Sequence, residues 1–315
     1  MSMFLQRGKF IFILTSLIAF AFFYANYPDF TFLKPIFELG NHKVFEKKSS
    51  KSKCNSNEFD QFASSYRQCL IGSFKTMENT VWGRTHQAIS ACVNRSLWQI
   101  LDVHQLDTKD QDFKFIILPS PNDTSPCIEI TLGVGNDIEA EEKLKKVAPR
   151  CKFFGADPIL QSGLIYQNIG TYFEMAVGAE GGFFKASVYE NGQYNFKNVS
   201  TISLEEFIKK KVGQNRIDYF WVDNEGAEYE MLRKYFIDGT LDVSVCQMAI
   251  ELHGPLEKYG MNDQKFSEFI VSLVSKSQLL PIWSTLSRGH VRAFYVNMFD
   301  RYCLEKFFVP KLCKG

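Results

Sequence analysis

The sequence predicts an α/β, Rossmann-like fold: a mostly parallel sheet that closes on an antiparallel C-terminal hairpin, preceded by one N-terminal transmembrane helix. Three observations carry that expectation. From residue 113 onward, short apolar runs of strand type alternate with helical patterning. The stretch Cys127–Pro158 reads as strand, glycine turn, helix and second strand with an acid at its tip. An uncharged apolar run, Phe10–Ala25, follows Arg7 and Lys9 near the start of the chain.

The N-terminal run comes first. Basic residues ahead of it place residues 1–9 in the cytoplasm and the remainder across the membrane, with 10–27 as a signal-anchor. Ala19-Phe20-Ala21 offers a cleavage site, in which case the chain is secreted. Residues 28–59, rich in Lys and Ser towards their end, read as a stem that cannot bury a core. Residues 60–112 form a helical pre-domain, with amphipathic patterning over Gln61–Val103. Its His86 and His104 read as surface or core residues. The sequons at Asn94, Asn122 and Asn198 fit a luminal chain. So do the 8 cysteines, an even number suited to an oxidising compartment. They show no paired CxxC spacing, so no metal site is expected from them. Cys246, in an apolar strand, reads as a buried free thiol. With 36 basic and 35 acidic residues, the net charge of +1 gives no sign of a nucleic-acid partner.

The domain 113–315 opens with the strand Phe113–Leu118. Cys127–Leu132 is the next, and Gly133 and Gly135 then let the backbone turn sharply. Asn136 is placed to cap a helix, with Glu139 as its reciprocal partner. Cys151–Ala156 follows and ends at Asp157, roughly two dozen residues past the first glycine, the separation at which an acid meets ribose hydroxyls. The third glycine of G-x-G-x-x-G is Ile138, which favours an adenosyl ligand without a pyrophosphate, S-adenosylmethionine foremost. Tyr172–Val177 and Phe183–Tyr189 are β-like. Ser203 opens a helix at Leu204–Lys211 through a capping box with Glu206. Ile217–Val222 is a buried strand, Glu228–Phe236 a helix and Val243–Leu252 a strand. Phe266, Phe269, Ile270, Leu273 and Val274 mark an amphipathic helix. Leu279–Trp283 and Val291–Phe299 pair through the turn Ser287–His290.

In open α/β sheets, ligands bind beyond the carboxyl ends of the strands. Gly133, Gly135, Asn136 and Asp157 are therefore the candidate cofactor residues. Asp223, Glu225, Glu251 and His253 arrive at the same rim from two other strands. Glu228 reads as a first-turn carboxylate favoured by the helix dipole. Asp223 does not, because it ends a wholly apolar strand.

The block V-D-N-E-G-A-E at 222–228, after I-D at 217–218, resembles the I-D-x-x-K-x-D-x-E-G-x-E signature of FkbM-type methyltransferases. F-F-G-A-D-P at 153–158 and C-Q-x-x-I-E-L-H at 246–253 resemble the nematode branch of that family. Thr131, Asp137 and Trp221 depart from the family's usual acid, glycine and lysine. The resemblance implies a class I methyltransferase fold with a seven-stranded sheet and methylation of hydroxyls, often on sugars, from S-adenosylmethionine. It also implies that Gly133, Gly135 and Asp157 hold the cofactor and that Asp223 and Glu225 face a small-molecule or glycan acceptor. Asp223 is the expected base, His253 the second choice, and Glu225 an orienting acceptor. Two other classes stay open. One is a type II luminal glycosyltransferase with Asp223 and Glu225 as a metal pair, the other an inactive binding domain.

Overall fold

The computed structural model describes residues 56–77, 80–93, 95–109, 113–190 and 193–309. The expected cytoplasmic tail, the membrane segment at 10–27 and most of the stem lie outside these residues, as does Asn94. Among the described residues, no helix is long and apolar enough to cross a membrane.

Two long helices lead. Helix α1 (Ser56–Thr76) absorbs the last residues assigned to the stem, and α2 (Val81–Ser90) follows it. A disulfide between Cys69 and Cys92 ties α1 to the chain just past α2. Both pack onto the sheet domain. The Tyr66 hydroxyl donates to Pro281 O at 2.7 Å, and Trp82 meets Phe266 edge-on at 4.9 Å. Helical patterning was expected to run to Val103, yet Val103–Asp107 is a strand, β1. It pairs antiparallel with β2 (Phe113–Ile117). Pairing with an adjacent strand outweighs local helical periodicity there.

The central sheet then builds from β3 (Cys127–Leu132), β4 (Cys151–Asp157) and β5 (Thr171–Glu174). A smaller three-stranded sheet is inserted next, formed by β6 (Ala176–Gly178), β7 (Gly182–Glu190) and β8 (Gln193–Ser203). The expected strand 172–177 is therefore two strands, split between two sheets. The main sheet continues with β9 (Arg216–Val222), β10 (Ser244–Leu252), β11 (Leu279–Ser287) and β12 (His290–Asn297). Its order is β11-β12-β10-β9-β3-β4-β5, seven strands. β12 alone runs against the others, being antiparallel to both its neighbours. Every residue of β3, and all of β9 after Arg216, is buried, as a sheet covered on both faces requires.

Helix α3 (Glu139–Val147) crosses from β3 to β4, and α4 (Asp263–Lys276) covers the other half of the sheet. The five apolar residues expected on α4 are all buried, and Asn262 caps it by accepting from Lys265 N. Ser203 caps its helix as expected, accepting from Glu206 N. Asn136 does not cap α3. It sits at φ 65°, Ile138 occupies the cap position, and the Asp137 carboxylate accepts from Glu139 N instead. Cys246 is not a free thiol, because it is bonded to Cys303. A third disulfide joins Cys127 to Cys151 across the paired starts of β3 and β4.

Candidate active site at the carboxyl rim

Strand order reverses at β3, which has β4 on one side and β9 on the other. The crevice beyond the β3 and β9 tips is where such sheets bind ligands. Gly133 turns there with φ 81°, its N–H donating to Ala156 O at 2.9 Å. A Cβ at Gly133 would lie 2.0 Å from Asp223 O, and Asp223 N donates to Leu132 O at 2.8 Å. The glycine turn and the tip of β9 are thus in backbone contact. Gly135, at φ 61°, faces open space, and Asn136 N donates to Ser162 O at 3.0 Å.

Asp157 stands at the far side of the turn and is 6% exposed. Its Oδ2 accepts from Val134 N at 3.0 Å and Gly135 N at 3.2 Å. Its Oδ1 accepts from Ile159 N at 2.8 Å and Ser162 Oγ at 3.2 Å. A carboxylate has about four lone-pair sites, and donors from the glycine turn and from the segment after β4 take all of them. The side chain expected to meet a ribose therefore first braces the loop. The two contacts at 3.2 Å are the longest of the four, and Gly135 beside them faces open space. On those grounds the turn suits an adenosyl group.

The other side of the crevice is acidic around one histidine. Glu228, fully buried, accepts from His253 N at 2.7 Å and faces His253 Nδ1 at 3.0 Å through Oε1. Its Oε2 accepts from Gly226 N at 2.8 Å. Tyr229 donates to His253 O at 2.6 Å. Nδ1 thus faces Glu228, and Nε2 is left facing outward. Nε2 lies 3.3 Å from Asp223 Oδ1 and 3.6 Å from Glu225 Oε2. Glu225 is held at φ 53° and Gly226 at φ 107°, which re-aims the chain after β9. Gly226 is tight, since a Cβ would stand 1.9 Å from the Tyr259 ring.

Burial and the Glu251 charge push Asp223 up to about 7, while His253 opposes them. Although 45% of its side-chain surface is exposed, Asp223 Oδ1 is closed off from solvent and takes no hydrogen bond. Burial alone would lower His253, but the Glu228 hydrogen bond and the three carboxylates outweigh it and raise it to about 9. Glu251 pairs with Arg292 at 2.7 Å. The His290 ring lies 4.7 Å from that of His253.

Asp223, Glu225 and His253 thus meet as the sequence suggested, beside Gly133. Asp157 shares the rim but faces its own loop. Glu228 and His290 were missed. A helix-dipole role explained Glu228 adequately, and its spacing with Met231, Leu232 and Tyr235, on the buried face, was the unused signal. His290 had no signal beyond its turn.

A wound seven-stranded sheet with one reversed strand, a glycine turn and an acid-lined rim is methyltransferase-like. The chain belongs to the methyltransferase FkbM domain family, whose sequence profile matches residues 110–278, more than half of its length. Membership points to a methyl-donor cofactor. No curated protein matches the chain significantly. Among solved structures, a chain of the complex between the Haloferax volcanii Trm112 methyltransferase activator and a methyltransferase is 10% identical. The alignment covers 76% of this chain and 97% of that one, with a TM-score of 0.29.

Proposed function

We propose that the protein is an S-adenosylmethionine-dependent O-methyltransferase acting on a hydroxyl of a sugar or glycan in the secretory pathway. One observation carries this reading: the acid of the acceptor side, Asp223, is in backbone contact with the glycine turn of the cofactor side. Residues 113–315 form the catalytic domain, and the helices of 60–112 form a pre-domain packed on it, with β1 joining β2.

Bound S-adenosylmethionine supplies a methyl group on a sulfonium centre. Gly133, Gly135, Asn136 and Asp157 would hold the cofactor beside the β9 tip. Asp223 would take the proton of the acceptor hydroxyl as its oxygen receives the methyl, the sulfur of the donor keeping the electron pair. His253, fixed by Glu228, stands 3.3 Å from that carboxylate, and Glu225 would accept from a second acceptor hydroxyl. Alignment can supply about 7–11 kcal/mol and the base about 10²–10⁴-fold.

Asp223→Asn is expected to lower turnover by about 10²–10⁴-fold while S-adenosylhomocysteine still binds, measured by calorimetry and by methyl transfer to a panel of glycans. Loss of cofactor binding with residual turnover overturns the assignment. Turnover of UDP-sugars with metal dependence would replace it with the glycosyltransferase reading. Three disulfides support the luminal placement, as do exposed sequon asparagines at 122 and 198. The anchor at 10–27 belongs to the same proposal.

A further inference from the structure

The contacts of His253 Nε2 with Asp223 and Glu225 are longer than charge-assisted hydrogen bonds. His253 Nε2 stands 3.3 Å from Asp223 Oδ1 and 3.6 Å from Glu225 Oε2. Charge-assisted hydrogen bonds close to about 2.7–2.9 Å, and Asp223 Oδ1 has no hydrogen bond although it is shut off from solvent. The spacing does fit another purpose. Ligands bound to one ion at about 2.1 Å in a tetrahedron lie about 3.4 Å apart. One donor atom from each of the three residues falls within 4.8 Å of the others.

The shell behind them agrees. A histidine that ligates through Nε2 almost always gives its other ring N–H to a carboxylate or carbonyl. Glu228, fully buried, is placed to take it at 3.0 Å. Glu251, His253 and His290 form a second grouping of the same kind. It shares the single outward nitrogen of His253, and only the first grouping contains Asp223 Oδ1, which is shut off from solvent without a hydrogen bond, so the first grouping is the stronger.

We infer that Asp223, Glu225 and His253 bind one divalent transition-metal ion, with Glu228 as the positioning residue behind His253. One imidazole and two carboxylates suit Mn²⁺ or Zn²⁺ better than Mg²⁺ or Ca²⁺, which favour all-oxygen shells. Resting on the methyltransferase reading above, the inference assigns the ion's open positions to acceptor hydroxyls. Asp223 then gives one oxygen to the ion and keeps the other for the proton.

The full-length chain, stripped with EDTA, is titrated with MnCl₂ and separately with ZnCl₂ by calorimetry, with S-adenosylhomocysteine titrated in parallel. One ion per chain is expected, its binding lost in Asp223→Asn and in the more exposed Glu225→Gln. Glu228→Gln should weaken it about 10–100-fold, with S-adenosylhomocysteine binding retained in all three. No saturable binding of either ion to the folded wild type, or equal binding by Glu225→Gln, overturns the inference. Ion binding without S-adenosylhomocysteine binding would keep the ion site and sink the methyltransferase reading.

Discussion

Gly133 and Gly135 are two residues apart, and both have positive φ, yet they are not equivalent. At Gly133 a methyl group would enter the Asp223 carbonyl, whereas at Gly135 it would meet nothing within 4 Å. Gly135→Ala is expected to cost about 1–2 kcal/mol, the ordinary penalty of the left-handed region. Gly133→Ala should cost more and weaken S-adenosylhomocysteine binding. Urea denaturation and calorimetry of both variants check this, and equal losses would refute the contact. The sequence showed both glycines as turn formers, but the Asp223 backbone that distinguishes them arrives from about ninety residues away. Asp157 was likewise legible as an acid at a strand tip. Its bracing of the loop was not, because backbone N–H groups leave no mark in a sequence.

On β3 and α3, Thr131 stands where the family usually has an acid, and its hydroxyl lies 2.6 Å from Glu129 Oε1 and 2.8 Å from Glu141 Oε1. One hydroxyl has one proton to give, so at least one of these buried carboxyls keeps its own. Tyr166 donates to the other oxygen of Glu129 at 2.5 Å. Burial first, then the Glu141 charge, holds Glu129 well above the ordinary carboxylate range. Its stabilising protonated form is therefore fully present below about pH 4.3, the unfolded value, and is lost as pH rises through the raised folded value. Glu129→Gln should remove that slope, so its melting temperature gains on the wild type as pH increases above about 4.3. Parallel melting curves across pH would contradict it. At the same scale, α4 buries Phe269 against Tyr229, with ring centroids 5.7 Å apart. Phe269→Ala should cost about 3–5 kcal/mol by urea denaturation. That helix was readable because its whole apolar stripe is local. The strand β8 was not, since Gln193–Ser203 mixes polar and apolar residues and owes its pairing to β6 and β7.

At the scale of the whole molecule, the three bridges among the described residues hold elements that are distant in sequence. Cys246–Cys303 spans 57 residues and Cys127–Cys151 spans 24. By the chain-entropy relation, losing the first costs about 4 kcal/mol and the second about 3.4 kcal/mol. Paired alanine variants compared by urea denaturation test the order. The sheet order was legible in outline because alternating strands and helices admit few windings. Which cysteines pair was not, because partners meet only after the sheet is wound. The contact of Gly133 with the Asp223 carbonyl has a consequence at this scale. The glycine turn and the β9 tip are halves of one backbone joint, so the spacing between the two sides of the crevice is set by the main chain. Under the proposed transferase reading, the walls around the rim could then diverge to admit new acceptors while the path of the transferred carbon is kept.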